Sequence, residues 1–179
     1  MASQITISIQ GQIVSCTTNI ATDLFCKFVF ISGPEWSIIS GPEEGISQRA
    51  RTDINKVCIW NYPIDVVFQG PKPFGWPQLV VAVYGLNLFG QETVVGYGAI
   101  HIPPQPGHHE VNLALFDRAP SSIGAKLKSW FSGDMPESIP LSTIATGDNR
   151  EILRTESGGF VKVSLDIVLT GFKKFDLLS

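Results

Sequence analysis

Charge is what this sequence has least of. Asp, Glu, Lys and Arg make up 16% of its 179 residues, and the net charge is −3. Nor is positive charge gathered in one place: residues 1–90 hold five Lys and Arg against six Asp and Glu, and residues 91–179 hold eight against ten. A nucleic-acid surface works by clustering cations that displace counterions, so no nucleic-acid partner is expected. Attraction to a membrane by bulk charge is equally unsupported. Cysteine is scarce and odd in number, Cys16, Cys26 and Cys58, without a Cys-x-x-Cys spacing. Cys26 and Cys58 lie in apolar runs, where a free thiol acts as a small hydrophobe. No apolar run approaches the ~20 residues of a membrane span. The first residues alternate and lack the charged and apolar regions of a signal peptide. A soluble protein of a reducing compartment, cytoplasmic, is the expectation.

Catalytic patterns are missing as well. There is no Gly-x-Ser-x-Gly elbow and no Gly-x-x-x-x-Gly-Lys-Ser/Thr phosphate cradle. Gly96-Tyr-Gly98-Ala-Ile-His lacks a third glycine and sits in a strand pattern. His108 and His109 are neighbours, so on a strand they point to opposite faces; the ligand spacings of a zinc site are absent. Glu43-Glu44 is the single adjacent acidic pair and reads as a solvated loop. Calcium needs several oxygens converging on one ion, whereas Asp23, Asp53, Asp65, Asp117, Asp134 and Asp148 are scattered singly. No enzyme activity, cofactor, metal or calcium site is expected.

What the sequence does have is apolar alternation, at 44% hydrophobic residues. Ile5, Ile7 and Ile9 alternate with Thr6 and Ser8, a half-buried strand by its period of two. Gly11-Gln12 either turns that strand into 13–15 or continues it past a bulge. Residues 24–31 are apolar except Lys27, a strand covered on both faces or lying at an edge. Residues 32–56 carry two Gly-Pro steps, which favour turns; such a connection is functional or holds short strands of its own. Trp36 within it reads as a core plug or an exposed anchor, with the core plug favoured. Further strands are expected over 64–69, 78–84, 93–102 and 111–115. Residues 151–154 give a further short candidate. The longest alternation covers 160–170, with Val161, Val163, Leu165, Ile167 and Leu169 facing the core. The glycines at 96 and 98 suggest a bulge or a close backbone approach.

One helix is expected, over residues 121–132. Ile123, Leu127, Trp130 and Phe131 fall on one face, with serine caps before it and Gly133 after it. Its apolar face packs across one end of the fold with Lys126 and Lys128 solvated, or lies at a lipid interface. The other candidate surface is the loop 70–77, rich in Pro, Gly and aromatics, which carries Phe74 and Trp76. Trp60 is expected in the core and Trp76 at least partly exposed. Many short strands with one helix in a connection point to an antiparallel β-sandwich of about eight strands. One domain spans 1–179, with its core over about 4–172.

Seven fragments then carry a resemblance: GPEEGISQ at 41–48, WNYPIDV at 60–66, PFGWPQ at 73–78, VYG at 83–85, GYGAIHIP at 96–103, SWF at 129–131 and GFV at 159–161. In that order, over about residues 4–172, they resemble the B9-domain family. The resemblance implies an all-β, C2-like antiparallel sandwich without the calcium aspartates. It implies a non-enzymatic part of the Meckel-syndrome complex at the ciliary transition zone and basal body. The implied partners are other B9-domain proteins and membrane proteins of the tectonic group. The implied role is to help gate membrane-protein entry to the cilium, in support of ciliogenesis and Hedgehog signalling. The alternative is an autonomous, calcium-independent lipid-binding module. For either, the candidate interface residues are Phe74, Trp76, Lys126, Lys128, Trp130 and Phe131.

Overall fold

The computed structural model describes residues 4–116 and 158–171. Nine strands form: β1 (Ile5–Thr17), β2 (Thr22–Ile31), β3 (Ser37–Ser40), β4 (Glu44–Ile46), β5 (Val57–Gly70), β6 (Gln78–Leu86), β7 (Glu92–His101), β8 (Gly107–Ala114) and β9 (Phe160–Thr170). Five of them make one sheet in the order β3-β5-β1-β9-β8, and four make the other in the order β4-β2-β6-β7. Every pairing is antiparallel. The count exceeds the expected eight because the 32–56 connection holds two short strands, β3 and β4. Among the described residues there is no helix. The helix expected over 121–132 and the short strand at 151–154 lie outside the described residues.

Of the two readings at Gly11 the strand continued past a bulge holds, and it shifts one boundary from expectation, the start of β5. β1 does not turn at Gly11; it runs on to Thr17 through a bulge between Ile13 and Ser15. The continued strand supplies partners as far as Thr17↔Val57 and Ser15↔Ile59, so β5 begins seven residues earlier than the apolar run at 64–69. Pro63 hides that start in the sequence, since proline lacks the N–H a ladder uses. It is tolerated because β3 pairs with β5 only at Val67–Gln69, leaving Pro63 on an open edge.

The core lies between the sheets. Ile5, Ile7, Ile9 and Ile13 from β1 meet Val161, Val163, Leu165 and Ile167 from β9 on one side. Phe28, Phe30, Leu79, Val81 and Val83 close it from the other sheet. Burying each such side chain contributes about 1.5–3 kcal/mol. Phe30 meets Phe68 edge-on at 5.7 Å between centroids, tying β2 to β5 across the sandwich. All three cysteines are buried and free.

The glycines at 96 and 98 meet both expectations: the ladder shifts beside Gly96, where Val83 pairs with Gly96 but Tyr84 with Val94, and both glycines make a close approach. A Cβ on Gly96 would crowd Leu115 and the carbonyl of Phe116, and one on Gly98 the carbonyl of Ala114. They let β7 of one sheet lie against the end of β8 of the other. Tyr97 and Phe116 exchange backbone hydrogen bonds of 2.8 Å in both directions there, which closes that side of the sandwich.

Candidate interaction surface

The loop joining β5 to β6 is held from two sides by indoles. Trp36, only 6% exposed, donates its Nε1 hydrogen to the carbonyl of Phe74 at 2.8 Å. Trp76, partly buried, donates its own to the carbonyl of Ile102 at 2.7 Å. The two rings meet edge to face with centroids 5.5 Å apart. Backbone contact completes the corner: the Gly33 N–H donates to the Gly75 carbonyl at 2.8 Å. A Cβ on either glycine would sit under 3 Å from the other's Cα, so this approach requires both. Gly75 also has φ +76°, a conformation L residues rarely adopt.

A loop so held presents Phe74 outward at 83% exposure, with Lys72 also exposed two residues before it. Beside it runs an open groove of about 420 Å³, lined by Ile31, Gly33, Phe74, Trp76, Gln78 and His101. Of the sequence candidates, Phe74 is therefore a displayed apolar side chain, and Trp76 is mainly a brace. Lys126, Lys128, Trp130 and Phe131 lie outside the described residues. Trp60 is core, with its Nε1 hydrogen given to the carbonyl of Leu24 at 3.0 Å. Asp65 is exposed on β5.

Sequence reasoning missed a second displayed pair. Leu88 and Phe89, 100% and 86% exposed, cap the β6–β7 turn at the opposite end of β6 from Phe74. Asn87 builds this turn: its Oδ1 accepts from the amides of Phe89 at 2.9 Å and Gln91 at 3.0 Å. The signal available was an Asn-x-x-Gly turn, at 87–90, with its two apolar residues at the tip.

Among the described residues the largest shifts belong to the three buried thiols. Burial, with a smaller contribution from Cys58, pushes the Cys16 thiol up to about 12; burial likewise pushes Cys58 up to about 11 and Cys26 higher still. Cys16 and Cys58 stand directly opposite each other on β1 and β5. Thiols held this far above neutrality are poor nucleophiles and metal ligands. Among the described residues no three of His, Cys, Asp and Glu gather as a metal cage.

The fold and this surface define an all-β sandwich with displayed apolar loops and no assembled chemistry among the described residues. The family of ciliary basal body-associated B9 proteins matches residues 7–168. The chain is 41% identical to mouse (Mus musculus) B9 domain-containing protein 1, over 94% of this chain and 83% of the relative. It is 31% identical to mouse B9 domain-containing protein 2, over 94% of this chain and 96% of that one. The chain belongs to the B9 protein family. A solved C2A domain of plant extended synaptotagmin 1 aligns over 93% of this chain and 94% of that domain, at 12% identity and TM-score 0.45. The sandwich is defined by the strand order of its two sheets.

Proposed function

We propose that this protein is a non-enzymatic structural component of the ciliary transition-zone complex, of the Meckel-syndrome and tectonic kind. In this reading it is cytoplasmic, sits at the cilium base and binds other B9-domain proteins and tectonic-type membrane proteins. It thereby helps gate membrane-protein entry and supports ciliogenesis. The observation that carries the reading is the family match across 7–168. The display of Phe74 on a doubly braced loop supports it, because a rigid apolar anchor loses little entropy on docking. Phe74 and Trp76, with Lys126, Lys128, Trp130 and Phe131, are the residues assigned to partner contact. Co-purification of the tagged full chain from ciliated cells should recover other B9-domain proteins, and imaging should place it at the cilium base. Recovery of none, with diffuse staining, overturns the reading.

A second reading draws on exposed Lys72 beside exposed Phe74, a cation next to an apolar tip. Here the chain is an autonomous, calcium-independent lipid-binding module. Flotation with anionic liposomes in chelator, lost in Phe74→Ser, is its expected result. No flotation of the unaltered chain removes it.

A further inference from the structure

Sheet edges are where one protein can add a strand to another, and natural proteins blunt the edges they do not use. Among the described residues, three of the four edge strands are blunted. β3 and β4 have four and three residues. Where β3 stops short, the exposed run of β5 carries Pro63, a left-handed Asn61 at φ +46°, and a side-chain bond from Gln48 Nε2 to the Trp60 carbonyl at 2.7 Å. β7 is covered at Tyr97 by Phe116.

β8 differs. Leu115, just past its end, donates to Gly159 beside β9, and Phe116 turns its backbone the other way, to Tyr97. Since backbone direction alternates along a strand, His109, Val111 and Leu113 point theirs at β9, while His108, Glu110 and Asn112 point theirs away. Among the described residues no backbone bond reaches those outward groups. Residues 108–112 include no proline and no positive φ. The outward side chains are tied down on the sheet: His108 Nδ1 lies 2.9 Å from Asp166 Oδ1, and Lys162 Nζ lies 3.6 Å from Glu110 Oε2.

We propose that the outer edge of β8, centred on Glu110, is a strand-addition site for an extended segment of a different protein, apolar on its inward side and basic opposite Glu110. The inference deepens the interaction-module reading and rests on it for the partner being a protein. The inward side must be apolar because it would lie beside half-buried Val111 and buried Leu113. A basic residue is required because opposite charges facing across strands attract. A second copy of β8 fits poorly in the three antiparallel registers centred on residues 109, 110 and 111. Centring on Glu110 sets carboxylate against carboxylate. Pairing His108 with Glu110 sets Asn112 against Pro106, which has no N–H. Pairing Glu110 with Asn112 brings in Ala114, whose carbonyl already faces Gly98 of β7.

The test uses the full chain, ¹⁵N-labelled, and the peptide Thr-Val-Thr-Val-Lys-Val-Thr-Val-Thr, with a second peptide bearing Glu in place of Lys. The lysine peptide should slow hydrogen exchange at the amides of His108, Glu110 and Asn112 and bind about fivefold tighter than the glutamate peptide. Glu110→Lys should reverse that preference. Asn112→Pro removes an outward N–H but none of the β9 ladder; it should weaken binding about tenfold while the melting temperature moves by only a few degrees. Unchanged exchange at the three amides, or a preference that Glu110→Lys leaves in place, overturns the proposal. So does a full chain that dimerises through this edge. If Asn112→Pro does not fold, Glu110→Lys still decides. Co-purification of other B9-domain proteins judges the assembly reading separately, so either idea can fail alone.

Discussion

On its outer surface the five-stranded sheet carries Gln10, Asp65, Asp166, His108 and Glu110, all exposed. The outer surface of the four-stranded sheet carries Val29, Val80, Ala82, Tyr84 and Tyr97, none more than 6% exposed. One sheet is therefore amphipathic and the other is apolar on both sides. The difference extends to how cations are held. Lys162 on the first sheet sits near a carboxylate at the surface, at 3.6 Å. Lys27 on the second is 7% exposed and lies over the Tyr84 ring at 5.4 Å, while Arg49 lies over Phe25 at 4.8 Å. Phe25 and Tyr84 stack at 5.2 Å, so the two cations flank an aromatic pair. The open face thus carries polar and charged side chains in solvent, whereas the closed face is buried like the core.

The sharpest way to break that comparison is to place a charge on each face. Ala82→Asp buries an uncompensated carboxylate and is expected to cost about 4 kcal/mol, enough to unfold a marginal domain. Ser8→Asp, on the amphipathic sheet, should stay within about 0.5 kcal/mol. Urea denaturation of the two variants checks this; similar losses would erase the distinction. Apolar truncation gives a smaller contrast. Val80→Ala should cost about 2 kcal/mol, and Val168→Ala, 59% exposed on the outer side of β9, close to nothing.

The thiols beneath the two sheets supply a pH test. Cys16 and Cys58 titrate higher in the fold than in the unfolded chain, because burial disfavours the thiolate. Their contribution to stability is therefore complete below the ordinary thiol range, and it is lost as pH rises from roughly 9 toward 11 and 12. Urea midpoints at pH 7, 9 and 10.5 should fall, and Cys16→Ala with Cys58→Ala should flatten that fall. The smallest contrast is between the cations. Arg49→Ala loses a cation–π contact and its 3.0 Å bridge to Glu92, worth about 0.5–1 kcal/mol. Lys162→Ala should change stability by less than about 0.5 kcal/mol. A larger loss at Lys162 than at Arg49 would invert the assignment of open and closed faces.

The same contrast governs how much the sequence revealed. Strict alternation at 5–9 and 160–170 marked the amphipathic sheet, because one wet face imposes a period of two. The apolar runs at 24–31, interrupted only by Lys27, and at 78–84, after Gln78, marked strands of the sheet that is covered on both sides. The start of β5 stayed hidden because Pro63 lacks the N–H that a ladder uses, and the ladder at Val57 depends on a β1 extended past its bulge. The surface was partly readable. An aromatic, glycine-rich loop at 70–77 pointed to Phe74, but nothing in the spacing of Trp36 and Trp76 says that one indole would hold Phe74's own carbonyl.

By itself, then, the sequence determined an all-β chain without a catalytic motif and, through seven ordered fragments, its family. Composition and periodicity act locally, so they survive in a string of letters. Only the tertiary structure decided that Trp76 braces while Phe74 projects, that Gly96 and Gly98 let the two sheets touch, and that β8 ends its sheet, among the described residues, with an open edge. Each depends on which backbone lies beside which across scores of residues, and those neighbours are chosen when the two sheets pack.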